Sequence, residues 1–295
     1  MQQWNGVSGK RVLITGATNG IGLAAAEELA RRGAKLAIVA RDEKRADSAV
    51  RQISAAAGIG TDIDILSADL SSQRSVRALA QEAIGRYPRI DVLVNNAGAI
   101  NEKRRLTADG FELTWAVNHL APFLLTTLLL DRLKESAPAR IVTTSSDAHT
   151  SAKAGIPFDD LNAERSYGMR GFRRYGESKL ANILFTSELA RRLDGTDVTA
   201  NCFHPGFVNT GFNRNNGPLM TIAMTIARPF ARNTKKGAET LVWLVDSPDV
   251  SDQSGGYFQD LKRIQPTAFG QDMDAAKRLW EVSEEQTGAG AVAGR

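Results

Sequence analysis

Cysteine is nearly absent. Cys202 is the one thiol in 295 residues, which excludes an intrachain disulfide and a cysteine-rich zinc centre. Histidine is scarce as well: no two of His119, His149 and His204 have ligand-pair spacing within a short motif, so no metal is expected. Long apolar runs are missing too. The most apolar stretches, Leu120–Leu130 and Leu219–Ala227, fall short of the roughly 18 residues that a membrane-spanning helix needs. The start, Met1-Gln2-Gln3-Trp4-Asn5, has no basic segment followed by an apolar one, so no secretory signal is read. A cytoplasmic, reduced, soluble protein is the expectation. Neither sign of charge dominates, since 37 Lys plus Arg against 33 Asp plus Glu leaves +4. The basic residues fall in short clusters (Arg31-Arg32, Lys103–Arg105, Arg170–Arg174, Lys235-Lys236) broken by acids and apolar runs. With no zinc-finger spacing or aromatic RNA-binding motif beside them, nucleic acid is not the expected partner. Affinity for phosphate-bearing small molecules fits that pattern better.

What is present is an alternation of short apolar runs and helical patterns. Strands are expected at Arg11–Thr15, Lys35–Ala40, Ile63–Leu66, Ile90–Val94, Arg140–Thr144 and Val198–Phe203. Helices are expected between them at Ile21–Arg32, Glu43–Ala57, Ser72–Arg86, Phe111–Lys134 and Tyr175–Leu193. Strands this short, separated by long helices, mean βαβ crossovers and a buried parallel sheet. The expected architecture is one doubly wound α/β domain over residues 1–286, with helices on both faces and a flexible tail at 287–295.

The first strand runs into Thr15-Gly16-Ala17-Thr18-Asn19-Gly20-Ile21-Gly22. Glycines at 16, 20 and 22 let the backbone turn tightly and let a pyrophosphate approach the helix N-terminus, where free N–H groups and the helix dipole favour an anion. At the end of the second strand an acid would bind both ribose hydroxyls of NAD and repel a 2′-phosphate. Here the chain reads Ile38-Val39-Ala40-Arg41-Asp42. The guanidinium of Arg41 can clamp a phosphate, which favours NADP(H). Asp42, displaced by a residue or two, keeps NAD(H) open.

Tyr175-Gly-Glu-Ser-Lys179 puts a phenol and an ammonium on one helix face. A lysine cation about 5 Å away, at an effective dielectric near 20, contributes roughly 3.3 kcal/mol. That is a little over two pKa units, enough to bring a phenol near working pH. The neighbouring Tyr167 has Gly171 four residues on and lacks this partner. Cys202 reads as a buried strand residue rather than a nucleophile.

Taken in order, Thr-Gly-x3-Gly-Ile-Gly, Asn95-Asn96-Ala97-Gly98 after the fourth strand, Ser145-Ser146 after the fifth, and Tyr-x3-Lys resemble the short-chain dehydrogenase/reductase family. The stretches Trp115–Thr126 and Ser178–Leu189 are similar to its retinol dehydrogenase and WW-domain oxidoreductase branch, with protochlorophyllide reductase a more distant cousin. The resemblance implies a single Rossmann-type domain and a tetrad. Tyr175 would be the general acid/base, and Lys179 its pKa modifier and ribose anchor. Ser146 would hydrogen-bond the substrate oxygen, and Asn118 would position a water. It also implies a cofactor-binding set comprising Gly16, Thr18, Asn19, Gly20, Ile21, Gly22 and Arg41, then Asp69-Leu70 at the adenine and Asn96-Ala97-Gly98 along the cofactor. Pro205, Gly206, Val208 and Thr210 would hold the carboxamide, with Tyr175 and Lys179 completing the set. One departure is length: 29 positions separate Ser146 from Tyr175, more than in many relatives. The extra loop precedes the helix that many relatives use for oligomer contacts, which leaves a homo-oligomer open.

The implied reaction is hydride transfer between nicotinamide and a carbonyl or alcohol of an apolar, retinoid-, steroid- or aldehyde-like substrate. The alternatives are C=C reduction of the protochlorophyllide type and a non-catalytic NADP-binding sensor. Leu219–Phe230 is expected within a substrate lid at about 211–235, with a buried helix or a shallow peripheral membrane contact as the other readings.

Overall fold

The computed structural model describes residues 4–58, 60–208 and 233–289. Six strands appear where short β-branched and aliphatic runs alternate with helices: β1 (Arg11–Thr15), β2 (Lys35–Ala40), β3 (Ile63–Ser67), β4 (Val92–Asn95), β5 (Ala139–Thr144) and β6 (Val198–Phe203). Two more follow, β7 (Tyr257–Gln259) and β8 (Lys262–Ile264). They form one sheet in the order β3-β2-β1-β4-β5-β6-β7-β8. Every neighbouring pair is parallel except β7 with β8. The doubly wound sheet is therefore as expected, extended by an antiparallel edge strand. The strand order reverses at β1, where Val12 lies beside Leu36 of β2 on one side and Val92 of β4 on the other. The crevice outside the carboxyl ends of β1 and β4 is where such a sheet accepts ligands.

The period-two pleat of β1 divides the core between two layers. Val12 and Ile14 face one layer, packing with α1 (Gly20–Arg31), α2 (Glu43–Ala57) and α6 (Thr234–Asp246) through Leu29, Ile53 and Leu241. Leu13 faces the other, with α3 (Gln73–Arg86), α4 (Leu113–Glu135), α5 (Phe172–Arg192) and α7 (Met273–Thr287) contributing Leu79, Phe123, Phe185 and Trp280.

Several boundaries shift for visible reasons. The fourth strand starts at Val92, after Ile90 donates its N–H to the Ser136 hydroxyl. The fourth helix starts at Leu113 because both carboxylate oxygens of Glu112 cap it, accepting from Thr114 N and Trp115 N. At 23 residues and a mean hydropathy of 1.4, α4 is long and apolar enough to cross a membrane, which counting Leu120–Leu130 alone had understated. The chain buries 72% of that apolar window, so α4 serves as a core helix. The expected lid falls mostly on residues 209–232, outside the described residues; at its end Asn233 caps α6, which takes in Thr234 and Lys235. Of the expected tail, Thr287 completes α7, Gly288 ends it in the left-handed region and Ala289 is buried against the core, while 290–295 lie outside the described residues.

Candidate active site

The glycine-rich turn leaves β1 with Gly16 at φ +69° and Gly20 at φ +57°, conformations that side-chain-bearing residues rarely adopt. Gly22 is demanded by space: a Cβ there would lie 2.2 Å from the Gly16 carbonyl oxygen and 2.4 Å from Asn96 Nδ2. Asn96 clasps this turn, donating to Thr15 O at 3.2 Å and Gly16 O at 3.1 Å and accepting from Thr144 Oγ1 at 3.2 Å. Thr15 Oγ1 in turn accepts from Asn96 N and Ala97 N, each at 3.0 Å. The Asn96-Ala97-Gly98 segment thus ties the end of β4 to the glycine turn. Thr15, which opens the glycine motif but was assigned no role of its own, and Thr144, which lies outside the motifs, are the hubs of that tie.

Helices α2, α3, α6 and α7 have a side-chain cap from Asp42, Ser72, Asn233 and Asp272. Helix α1 does not: the Asn19 side chain makes no cap bond and no acid occupies the first turn. Its leading N–H groups are left for an anion. At the far end of the crevice, Arg41 is exposed, its nearest ion pair a loose 3.8 Å contact with Asp69. Asp42 is committed elsewhere, accepting from Arg45 N at 2.8 Å as the α2 cap. Asp69 holds a tight turn by accepting from Ser71 N and Ser71 Oγ, and Leu70 is half-buried against the core beside it. Thr18 and Ile21 are half-buried. Val208 packs against the position where a side chain on Gly237 would sit, with Ile21 close by. Gly206 turns at φ +80° just after Pro205. Thr210 lies outside the described residues. An uncapped helix start beside a glycine turn, with an exposed, loosely paired guanidinium beyond β2, fits a phosphate-bearing dinucleotide.

The tetrad residues converge at the carboxyl ends of β4 and β5. The half-buried Tyr175 phenol hydrogen-bonds the side chain of Ser146. Ser146 also accepts from Ala148 N at 3.1 Å. Ser145, by contrast, is buried and donates to Lys179 O at 2.8 Å, so geometry now separates the two serines. Lys179 Nζ lies 5.5 Å from the Tyr175 ring centroid and donates to Thr144 O at 3.0 Å. Asn118 sits in a π-helical turn, Ala116–Leu120, inside α4, a local widening often found at functional sites. Its Oδ1 accepts from Ala99 N at 2.7 Å, and its Nδ2 donates to Ala99 O and Ser178 Oγ, both at 2.9 Å. Both amide hydrogens are thereby used, so the side chain braces α4 against α5. Gly98 lies against Asn118 and Lys179.

Electrostatics here differ from the sequence arithmetic. Burial pushes the Tyr175 phenol up to about 12, against a smaller lowering by the Ser146 hydrogen bond. Burial pushes Lys179 down to about 8. The expected lowering of the phenol counted the lysine charge and left out the cost of burial. In the folded chain the cost of desolvating a phenolate exceeds what an ammonium above its ring, held to the Thr144 carbonyl, returns.

The N-terminus of α5 carries a buried ion cluster that the motifs did not reveal. Arg174 donates to Glu112 Oε2 at 3.2 Å and Glu177 Oε2 at 3.1 Å, with its guanidinium 4.6 Å from the Trp115 ring centroid. Tyr167 joins it, donating to Asn101 O at 2.7 Å. The only sequence signal was Arg beside the reactive Tyr, which reads equally as a solvated face. His119 is fully buried on Ser283 Oγ at 2.7 Å, its pKa pushed down to about 3 chiefly by burial. His204 Nδ1 accepts from Asp147 N at 3.0 Å. Among the described residues no group of three or more His, Cys, Asp or Glu could hold a metal. Burial pushes the Cys202 thiol up to about 12, the opposite of an activated nucleophile.

The short chain dehydrogenase family matches residues 10–158. Retinol dehydrogenase 14 of Mus musculus is 45% identical over 292 residues, covering 95% of this chain and 86% of that protein. A candidate daunorubicin C-13 ketoreductase of Streptomyces sp. (strain C5) is 44% identical, covering 96% of this chain and 94% of its own. Among solved structures, a short chain dehydrogenase of Burkholderia cenocepacia J2315 in complex with NADP superposes with a TM-score of 0.68 at 28% identity, covering 86% of this chain and 97% of that one.

Proposed function

The chain belongs to the short chain dehydrogenase family, and we propose that it is an NADP(H)-dependent carbonyl reductase or alcohol dehydrogenase working through Tyr175. Membership makes it an oxidoreductase with a nicotinamide cofactor. The observation that carries the finer reading is the Tyr175–Ser146 hydrogen bond, with Lys179 above the same ring. When bound, the nicotinamide supplies or accepts the hydride. Ser146 Oγ and the phenol together present hydrogen bonds to one substrate oxygen, and Tyr175 gives up or takes the proton there. The Lys179 ammonium favours the phenolate in the direction that removes a proton. The preference for NADP(H) is supported by Arg41 being exposed and held only by a loose 3.8 Å ion pair with Asp69, while Asp42 Oδ1 accepts the helix-cap bond. An apolar carbonyl substrate is supported by two exposed hydrophobic side chains, Met169 and Phe172, just ahead of Tyr175, and by Phe207 after β6. The similarity to retinol dehydrogenase 14 and to a candidate ketoreductase points the same way. We place the activity in the cytoplasm on the sequence reading alone.

The test is a panel of retinal, a steroid ketone, aliphatic aldehydes and a quinone, followed by NADPH and NADH absorbance. Turnover of an apolar aldehyde or ketone with NADPH, and less with NADH, is expected. Reduction of C=C bonds alone would favour the protochlorophyllide-type alternative, and binding without turnover would make the chain a sensor.

A further inference from the structure

Ser146 is held from its carbonyl as well as its hydroxyl. His149 Nδ1 lies 2.9 Å from Ser146 O. On the opposite side of the ring, the Thr267 backbone N–H donates to His149 Nε2 at 3.3 Å. Thr267 belongs to the segment between β8 and α7. A backbone carbonyl can only accept and a backbone N–H can only donate, so the two contacts together fix the ring. His149 must be neutral, with its proton on Nδ1. The ring is buried and wedged edge-on against Tyr257 of β7, centroids 5.3 Å apart at 81°. Its burial also lowers its pKa, keeping it neutral despite the nearby Asp147 carboxylate.

We propose that His149 is a positioning residue for Ser146, transmitting the placement of the C-terminal β7–β8 hairpin and the Thr267 backbone to the serine that meets the substrate oxygen. None of the tetrad motifs reaches this part of the chain. The peptide carbonyl that His149 holds belongs to Ser146, whose side chain bonds the Tyr175 phenol. A shift of a fraction of an ångström there moves the serine hydroxyl relative to the phenol, and catalysis is steep in such displacements. The inference rests on the oxidoreductase reading above for its kinetic consequence, though not for its geometry.

Three variants separate positioning from mere packing. His149→Asn places an amide N–H where Nδ1–H stands, so it keeps the bond to Ser146 O. His149→Gln reaches the Nε2 position and keeps only the Thr267 side. His149→Phe keeps the ring and neither bond. With NADPH and an aliphatic aldehyde as probe, kcat should fall at least tenfold in His149→Phe and His149→Gln, with KM for NADPH within twofold of wild type. His149→Asn should recover to within threefold. Nitrogen-15 NMR of histidine-labelled protein should show a protonated Nδ1 and a bare Nε2, assigned by the signal lost in His149→Phe. Amide exchange at Ala148, whose N–H donates to Ser146 Oγ, should quicken in His149→Phe and not in His149→Asn. A proton on Nε2, equal kcat in His149→Phe and wild type, or equal recovery by Asn and Gln would each overturn the proposal. If the wild-type protein turns over no probe at all, the oxidoreductase reading falls, and the tautomer and the Ala148 exchange still decide His149.

Discussion

Gly22→Ala probes whether the glycine turn is built as closely as it looks. The added methyl would sit 2.2 Å from Gly16 O and 2.4 Å from Asn96 Nδ2, more than 1 Å inside ordinary contact, about 3.5 Å. Neither neighbour is a free side-chain end: one is backbone, and the other is the amide that bonds Thr15 O and Gly16 O. Overpacking of this kind costs about 1–3 kcal/mol. Losing the two Asn96 bonds adds roughly 0.5–1.5 kcal/mol each. The expected destabilisation is therefore about 2–6 kcal/mol, or roughly 3–10 °C in Tm for a chain of this size. Because the displaced turn is the one that would meet the pyrophosphate, NADPH affinity should fall by at least tenfold. Gly85→Ala is the matched control: it lies within α3, nothing stands within 4 Å of its Cβ, and alanine there should stabilise by about 0.5–1 kcal/mol. Thermal melts and fluorescence titration with NADPH read both variants. If Gly22→Ala melts and binds like Gly85→Ala, the turn is not the packed cradle described.

Arg41→Ala should weaken NADPH binding by about 1.5–3 kcal/mol, the range for a hydrogen bond to a charged group, and NADH much less. Asp42→Ala should instead cost about 1 kcal/mol of stability as a lost helix cap, and leave the ratio of the two affinities unchanged; isothermal titration and melts distinguish the two. Lys179, with its pKa at about 8 in the folded chain, is charged below that pH and neutral above it. The kcat/KM for carbonyl reduction should therefore decline above about pH 8, in a limb that Lys179→Met lacks. The same lowered pKa makes stability rise between about pH 8 and the ordinary lysine value, since there the unfolded chain binds a proton that the folded chain has lost. Lys179→Met should accordingly raise Tm at pH 7, and that gain should vanish at high pH.

The strands and helices of the first two thirds were legible because each crossover repeats one period change, from apolar run to helical face, with punctuation at Gly33 and Pro88. The β7–β8 hairpin was not. Its strands are three residues each, and its turn uses Asp260 and Leu261, both at positive φ. Such turns are normally announced by Asn-Gly or Gly-Gly. The juxtaposition of Tyr175, Ser146 and Lys179 was legible from the motifs. The site was opaque wherever a residue acts through tertiary neighbours. That Asp42, kept open as a ribose ligand, also caps α2 through Arg45 N was not visible in the sequence, and Glu112 gave no sign of meeting Arg174 62 positions away. The sign of the Tyr175 shift failed for the same reason, since spacing reports a neighbouring charge and says nothing about burial.

The measurement nearest the centre of the account is turnover by Tyr175→Phe, with NADPH binding measured beside it. The substitution removes one hydroxyl from a half-buried ring and leaves α5, Lys179 and the glycine turn in place. General acid/base catalysis by a positioned side chain contributes about 10²–10⁴-fold. The account predicts that kcat/KM for an apolar aldehyde falls by at least that lower bound, while the NADPH dissociation constant stays within about threefold of wild type. Turnover within tenfold of wild type, with binding intact, would show that another group handles the proton and would contradict the assignment of Tyr175.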